Sequence, residues 1–189
     1  MHLDGLKVAV LVTDGYEPSE LTEPVAALRD AGADVTIVSD HDGQIKGKTD
    51  ADIATVDLTL DTARADDYGA LLLPGGVKNP DTMRQNERGV AFVRSFADAG
   101  KPIAAICHAP WLLVEADVVR GRRVTSYPSL RTDLRNAGAE WVDEEVVTDQ
   151  GLVTSRTPRD IPAFNAKMLE EFGEGTHASR TAATATTQR

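Results

Sequence analysis

The chain has 189 residues, 41% hydrophobic and 26% charged, a composition that suits one globular domain able to bury its own core. With 30 Asp and Glu against 20 Lys and Arg the net charge is −10, which repels phosphate backbones and anionic lipid and so argues against nucleic-acid or membrane binding by charge. A single cysteine excludes an intramolecular disulfide and a multi-cysteine metal site.

Lys7 to Thr13 is a short apolar, β-branched run and reads as a buried strand. Ser19 to Ala31 places Leu21, Val25 and Leu28 at helical spacing, with Gly32 as the stop and Pro24 as a point of kinking or of a later start. Asp34 to Ser39 is a second strand, so the chain opens as a βαβ unit, which calls for a parallel sheet. Residues 40–49 read as a polar surface excursion, and Ile53, Thr55 and Asp57 as a short edge strand. Ala70 to Leu73 is a strand closed by Pro74-Gly75-Gly76, and Glu87 to Ala99 a helix capped by Asn86 and stopped by Gly100.

Pro102 to Ile106 is the next strand. His108 to Ala116 is helical provided that Pro110 lies in the first turn, where its missing N–H is not needed. Ser129 to Ala137 reads as a helix, Glu145 to Thr148 and Leu152 to Ser155 as a hairpin, and Asp160 to Phe172 as the closing helix. The expected architecture is one α/β domain over residues 1–172, an open, mostly parallel sandwich, with residues 173–189 as a disordered tail. The N-terminal residues lack a signal-peptide pattern and no apolar stretch approaches membrane-spanning length, so the expected compartment is the cytoplasm, where a lone thiol stays reduced.

In an open parallel sheet, ligands bind outside the carboxyl ends of the strands. Three segments fall there: Gly15-Tyr16-Glu17, Pro74-Gly75-Gly76 and Cys107-His108. Cys107 sits between a strand and a helix. There the sharp turn lifts its side chain out of the sheet, and the unpaired N–H groups of the helix favour a thiolate. Burial as a small hydrophobe is the competing role for a cytosolic cysteine. His108 is placed to act as a general base, or to contribute its backbone N–H to an oxyanion hole. Gly75 and Gly76 allow close backbone approach to a bound carbonyl, though Pro-Gly-Gly is also ordinary turn punctuation. Glu17 faces the same edge; beside a thiolate it would stay protonated and donate to the sulfur, while at a helix start it would simply favour the dipole. Asp81 is the remaining acid near this edge, in an Asn-Pro-Asp sequence that also reads as a turn.

The segments DGYEPSEL (14–21), LLLPGG (71–76), KPIAAICHAP (101–110), ADVVRGRRVTSYP (116–128), NAGAEWVDEEVV (136–147) and VTSRTPRDIPAF (153–164) together resemble the ThiJ/PfpI family, in its PfpI-like branch of cysteine hydrolases and stress proteins. The resemblance implies a flavodoxin-like three-layer sandwich with a nucleophile elbow. It also implies Cys107 as nucleophile, Glu17 as the carboxyl on its sulfur, and N–H groups around Gly76 and His108 holding an oxyanion. By the same resemblance Asp81 of a neighbouring subunit orients His108, so the protein is a homodimer or larger. Ala109 stands where the family usually has Gly, and Asp81 where peptidase-like members have Glu.

The function so implied is cofactor-free and metal-free hydrolysis of carbonyl or peptide substrates, of peptidase or of glyoxalase and deglycase type, in the stress response. A redox-sensing or chaperone-like protein with an oxidisable Cys107 and no turnover is the alternative. A glutamine-amidotransferase-like triad would draw on a late His-x-Glu motif. The late histidine here, His177, is followed by Ala178-Ser179, which disfavours it.

Overall fold

The computed structural model describes residues 2–177. In chain order the elements are β1 (Lys7–Leu11), α1 (Pro18–Asp30), β2 (Asp34–Ser39), β3 (Gln44–Lys46), β4 (Ile53–Thr55), β5 (Leu58–Thr59), β6 (Ala70–Leu73), α2 (Lys78–Met83) and α3 (Glu87–Asp98). They continue as β7 (Ile103–Ile106), α4 (Pro110–Glu115), β8 (Arg123–Val124), α5 (Arg131–Asn136), β9 (Glu140–Trp141), β10 (Val146–Asp149), β11 (Leu152–Ser155) and α6 (Ile161–Glu174).

Seven strands form the central sheet in the order β10-β11-β7-β6-β1-β2-β5, parallel throughout except for the edge strand β10. All four residues of β6 and all four of β7 are buried, as strands covered on both faces must be. Their alternation divides the core into two layers. Ala9, Leu11, Leu71, Leu73, Ile103 and Ala105 point to the face covered by Phe92, Phe96 and Leu113 of α3 and α4. Val8, Val10, Ala70, Leu72, Ala104 and Ile106 point to the other, covered by Leu21, Val25 and Leu28 of α1 and by Phe164, Met168 and Phe172 of α6. Each large side chain so covered contributes about 1.5–3 kcal/mol. The result is the expected three-layer α/β sandwich.

Local signals account for most boundaries. Asn86 Oδ1 accepts from the N–H groups of Arg88 and Gly89 at 3.0 and 3.1 Å and starts α3. Pro110 is the first residue of α4, where it removes no needed donor. Pro18 likewise starts α1, which accommodates Pro24 without ending there.

Several expectations need correction. Residues 40–49 are not only a polar excursion, because Ile45 is fully buried in β3, which pairs antiparallel with β4 in a small sheet of its own. The short strand around Ile53 therefore does not edge the main sheet; β5 does. Asn-Pro-Asp lies inside the helix α2 and not in a simple turn. The closing helix, expected to end at Phe172, runs on to Glu174, and beyond it His177 donates its N–H to Gly100 O at 2.8 Å. Residues 178–189 of the expected tail lie outside the described residues. Among the described residues no helix is long and apolar enough to cross a membrane.

Candidate active site

The carboxyl ends of β1, β6 and β7 open into a cleft of about 810 Å³, lined by Gly15, Glu20, Gly76, Cys107, His108 and Tyr127 among others. β1 lies between β6 and β2, at the point where the strand order reverses, the usual ligand position in such sheets.

Cys107 leaves β7 with φ 64, a left-handed conformation that a non-glycine residue adopts only where its surroundings impose it. Both of its backbone groups are tied: its N–H donates to Ser155 O at 3.0 Å, and its carbonyl accepts from Tyr127 N–H at 2.8 Å. The sulfur is thereby held at the floor of the cleft, on a residue only 7% exposed.

His108 Nδ1 lies 3.1 Å from Cys107 Sγ, and its Nε2 lies 3.3 Å from Ser129 Oγ. Its ring stacks on Tyr127 at 4.5 Å and meets Trp111 edge-on at 5.2 Å. Burial lowers the His108 pKa, so the ring is neutral near pH 7 and able to take a proton.

Glu17 does not occupy the place expected of it. It is the N-cap residue of α1, at the cleft rim, and its carboxylate pairs with Lys48 at 3.5 Å. The acid that meets the sulfur is Glu20, 0% exposed in the first turn of α1. The reason is helical geometry. Glu20 stands four residues before Pro24 and eight before Leu28, both buried, whereas Glu17 precedes the helix and projects outward.

Burial pushes the Glu20 carboxyl up to about 7, opposed by its hydrogen bond with Cys107 and by the N–H groups of Gly76 and Gly75, while the nearby Glu17 adds to the rise. Gly76 N–H donates to Glu20 Oε2 at 3.2 Å. Oε1 is buried without a hydrogen-bond partner. Burial also raises the Cys107 thiol, and the charge of Glu20 raises it further, against the stabilising N–H groups of Gly76 and His108. Both effects work against the thiolate that the helix start was expected to favour. Glu20 and Cys107 cannot both be charged in so dry a site, and the anion reaches sulfur only while Glu20 holds its proton.

The two glycines are required by packing. A Cβ on Gly75 would collide with Glu20 Oε2 and would stand 2.7 Å from both Cys107 Cβ and Ile106 O. Gly76 has φ +79, and a Cβ there would meet Gly15 O at 2.5 Å. The residue that fixes this loop is Asn79, which is buried. Its Nδ2 donates to Pro74 O and Gly75 O at 2.9 and 3.0 Å, and its Oδ1 accepts from Thr13 N–H at 2.8 Å. Asn79 thus joins the ends of β1 and β6. Asp81, two residues on, is exposed, and its carboxylate has no hydrogen bond or ion pair among the described residues. The chain by itself therefore brings Cys107, His108, Gly75 and Gly76 together, substitutes Glu20 for Glu17, and leaves Asp81 apart.

The DJ-1/PfpI family model matches residues 6–171. The chain belongs to the DJ-1/PfpI family. Within it, the chain is 47% identical over 169 residues to protein/nucleic acid deglycase 2 of Escherichia coli, covering 88% of this chain and 98% of that one. It is also 47% identical to general stress protein 18 of Bacillus subtilis, with 87% and 96% covered, and 42% identical to deglycase PfpI of Pyrococcus furiosus, with 87% and 98% covered. Among solved structures it resembles DJ-1beta of Drosophila melanogaster, with a TM-score of 0.82, 31% identity and 91% of each chain covered.

Proposed function

We propose that the protein is a PfpI-type cysteine hydrolase of the stress response, acting as a deglycase on carbonyl adducts of amines. The observation that carries this reading is the strained Cys107 elbow, with His108 Nδ1 3.1 Å from the sulfur and the N–H groups of Gly76 and His108 beside it. Relatives named as deglycases, matched over nearly their full length, support it.

In the proposed reaction Cys107 Sγ adds to the substrate carbonyl carbon and its proton passes to His108 Nδ1. The oxygen becomes an oxyanion, held by the His108 N–H and by the Gly76 N–H, which turns to it from Glu20 Oε2. Protonated Glu20 keeps negative charge off its own carboxyl while sulfur is anionic. In the adduct the nitrogen sits on the neighbouring carbinol carbon, and it leaves with the proton that His108 returns while the carbinol O–H becomes a C=O. Collapse of the oxyanion carbon then breaks its bond to sulfur, which takes the carbinol proton, so that amine, free dicarbonyl and the Cys107 thiol are released. Ser129 holds Nε2 in this chain, and Asp81 of a second copy completes the orientation of His108 in a cytoplasmic homodimer.

The redox-sensor reading is weaker, because a buried thiol held well above its ordinary pKa is a poor target for peroxide. The test is turnover of methylglyoxal, of glyoxal-modified amino acids and of a peptide panel by the wild type and Cys107→Ser. Loss of adduct turnover in the variant is expected. Full retention refutes the proposal.

A further inference from the structure

At the far end of α6 from the cleft the chain folds back on itself. Gly175, with φ 82, ends the helix, and its N–H donates to Glu171 O at 3.2 Å. His177 N–H then bonds Gly100 O, and its ring packs on Gly151, where a Cβ would come within 2.6 Å of Cδ2. This return brings one potential ligand atom from each of Glu171, Glu174 and His177 within 4.8 Å of the others.

Two of these atoms carry the argument. Glu171 is 7% exposed, and its Oε2 lies 3.2 Å from His177 Nε2. Both atoms are buried, and neither makes a hydrogen bond. The two atoms are thus close enough to pair as ions but are not aligned for a hydrogen bond. Zinc bonds nitrogen and carboxylate oxygen at about 2.0–2.1 Å, so two ligands at a tetrahedral angle stand roughly 3.3 Å apart. The observed separation matches that edge.

We propose that Glu171, Glu174 and His177 form a zinc-binding site. Glu174, exposed on the next turn, supplies the third ligand and water the fourth. One imidazole with two carboxylates suits zinc, whereas magnesium and calcium take oxygen ligands in greater number. Glu170 adds a further carboxylate to this end of α6, and Lys167, which could offset it, is held by Glu170 at 2.6 Å. The carbonyl end of a 14-residue helix adds further negative potential. The family match covers residues 6–171, so Glu174 and His177 lie just beyond it. A bound ion would clip the return after α6 to the turns at Gly100 and Gly151.

The test is calorimetric titration of chelator-stripped, full-length protein with Zn²⁺, in a Cys107→Ser background that removes the thiol as a competing ligand. One ion per chain is expected, with binding weakened at least about tenfold in His177→Ala and measurably in the exposed Glu174→Gln, which leaves the fold untouched. At a hundredfold excess over the parent Kd, Zn²⁺ should raise the Tm of the parent by about 5–10 °C and that of His177→Ala by about half as much or less, and Mg²⁺ should raise neither. Absence of stoichiometric Zn²⁺ binding, or equal affinity in His177→Ala, overturns the proposal and leaves the cluster a histidine–carboxylate ion pair.

Discussion

Glu20→Gln isolates the acid that meets the sulfur. The substitution keeps the side-chain volume and the carbonyl oxygen that accepts from Gly76, and removes only the ability to ionise. Wild-type Glu20 is raised from 4.5 to about 7. Between those values the folded protein keeps a proton that the unfolded chain has released. Folding therefore takes up a proton, and stability falls as pH rises through this range. At 1.36 kcal/mol per pH unit, the total loss is roughly 3 kcal/mol, complete by about pH 8. Cys107 stays a thiol throughout, and every other titrating group is common to both proteins, so the difference between them reports Glu20 alone. Urea unfolding at intervals from pH 4.5 to 8 should show the wild type losing about 3 kcal/mol relative to the variant. A difference constant within about 0.5 kcal/mol would mean that Glu20 is ionised in the native cleft, and the shared-proton account of the Glu20–Cys107 pair would fall.

Three further outcomes are expected. Gly75→Ala places a methyl against Glu20, Cys107 and Ile106, so it should cost about 1–3 kcal/mol in urea unfolding and lower turnover by displacing the sulfur; wild-type values would contradict the close packing. Asn79→Ala removes the tie between the ends of β1 and β6 and leaves buried groups unpaired, for a loss of about 3 kcal/mol, with kcat falling more than KM rises. Mixing Cys107→Ser with Asp81→Asn subunits after co-refolding should restore about a quarter of wild-type turnover, since mixed dimers regain one intact site; no recovery would confine each site to one chain.

The parallel sheet was legible because its strands are uninterrupted apolar runs such as Ala70–Leu73 and Ile103–Ile106, bounded by Pro, Gly or a helix start. Short elements were not: β8, β9 and β5 have two residues each, too few for any period to register. Asn79 was lost inside a turn-like Asn-Pro-Asp, since nothing local announces that its side chain bonds Thr13, 66 positions away. Cys107, His108 and the glycine loop could be placed from strand ends alone. The error over Glu17 came from weighing nearness to the strand end above helical phase. Glu20 shares the inward face with Pro24 and Leu28, and that signal was present in the spacing. Ser129 and Tyr127 reach His108 through the chain's return after β8, a long-range event with no local mark.

The left-handed backbone of Cys107 has a consequence for how the protein could drift or be improved. Glycine is the residue this position favours on conformational grounds, so selection for stability alone would remove the sulfur and gain on the order of 1 kcal/mol. Stabilised variants obtained without an activity screen should therefore accumulate changes at the elbow first. A cysteine kept at that φ is a record of functional selection written in the main chain.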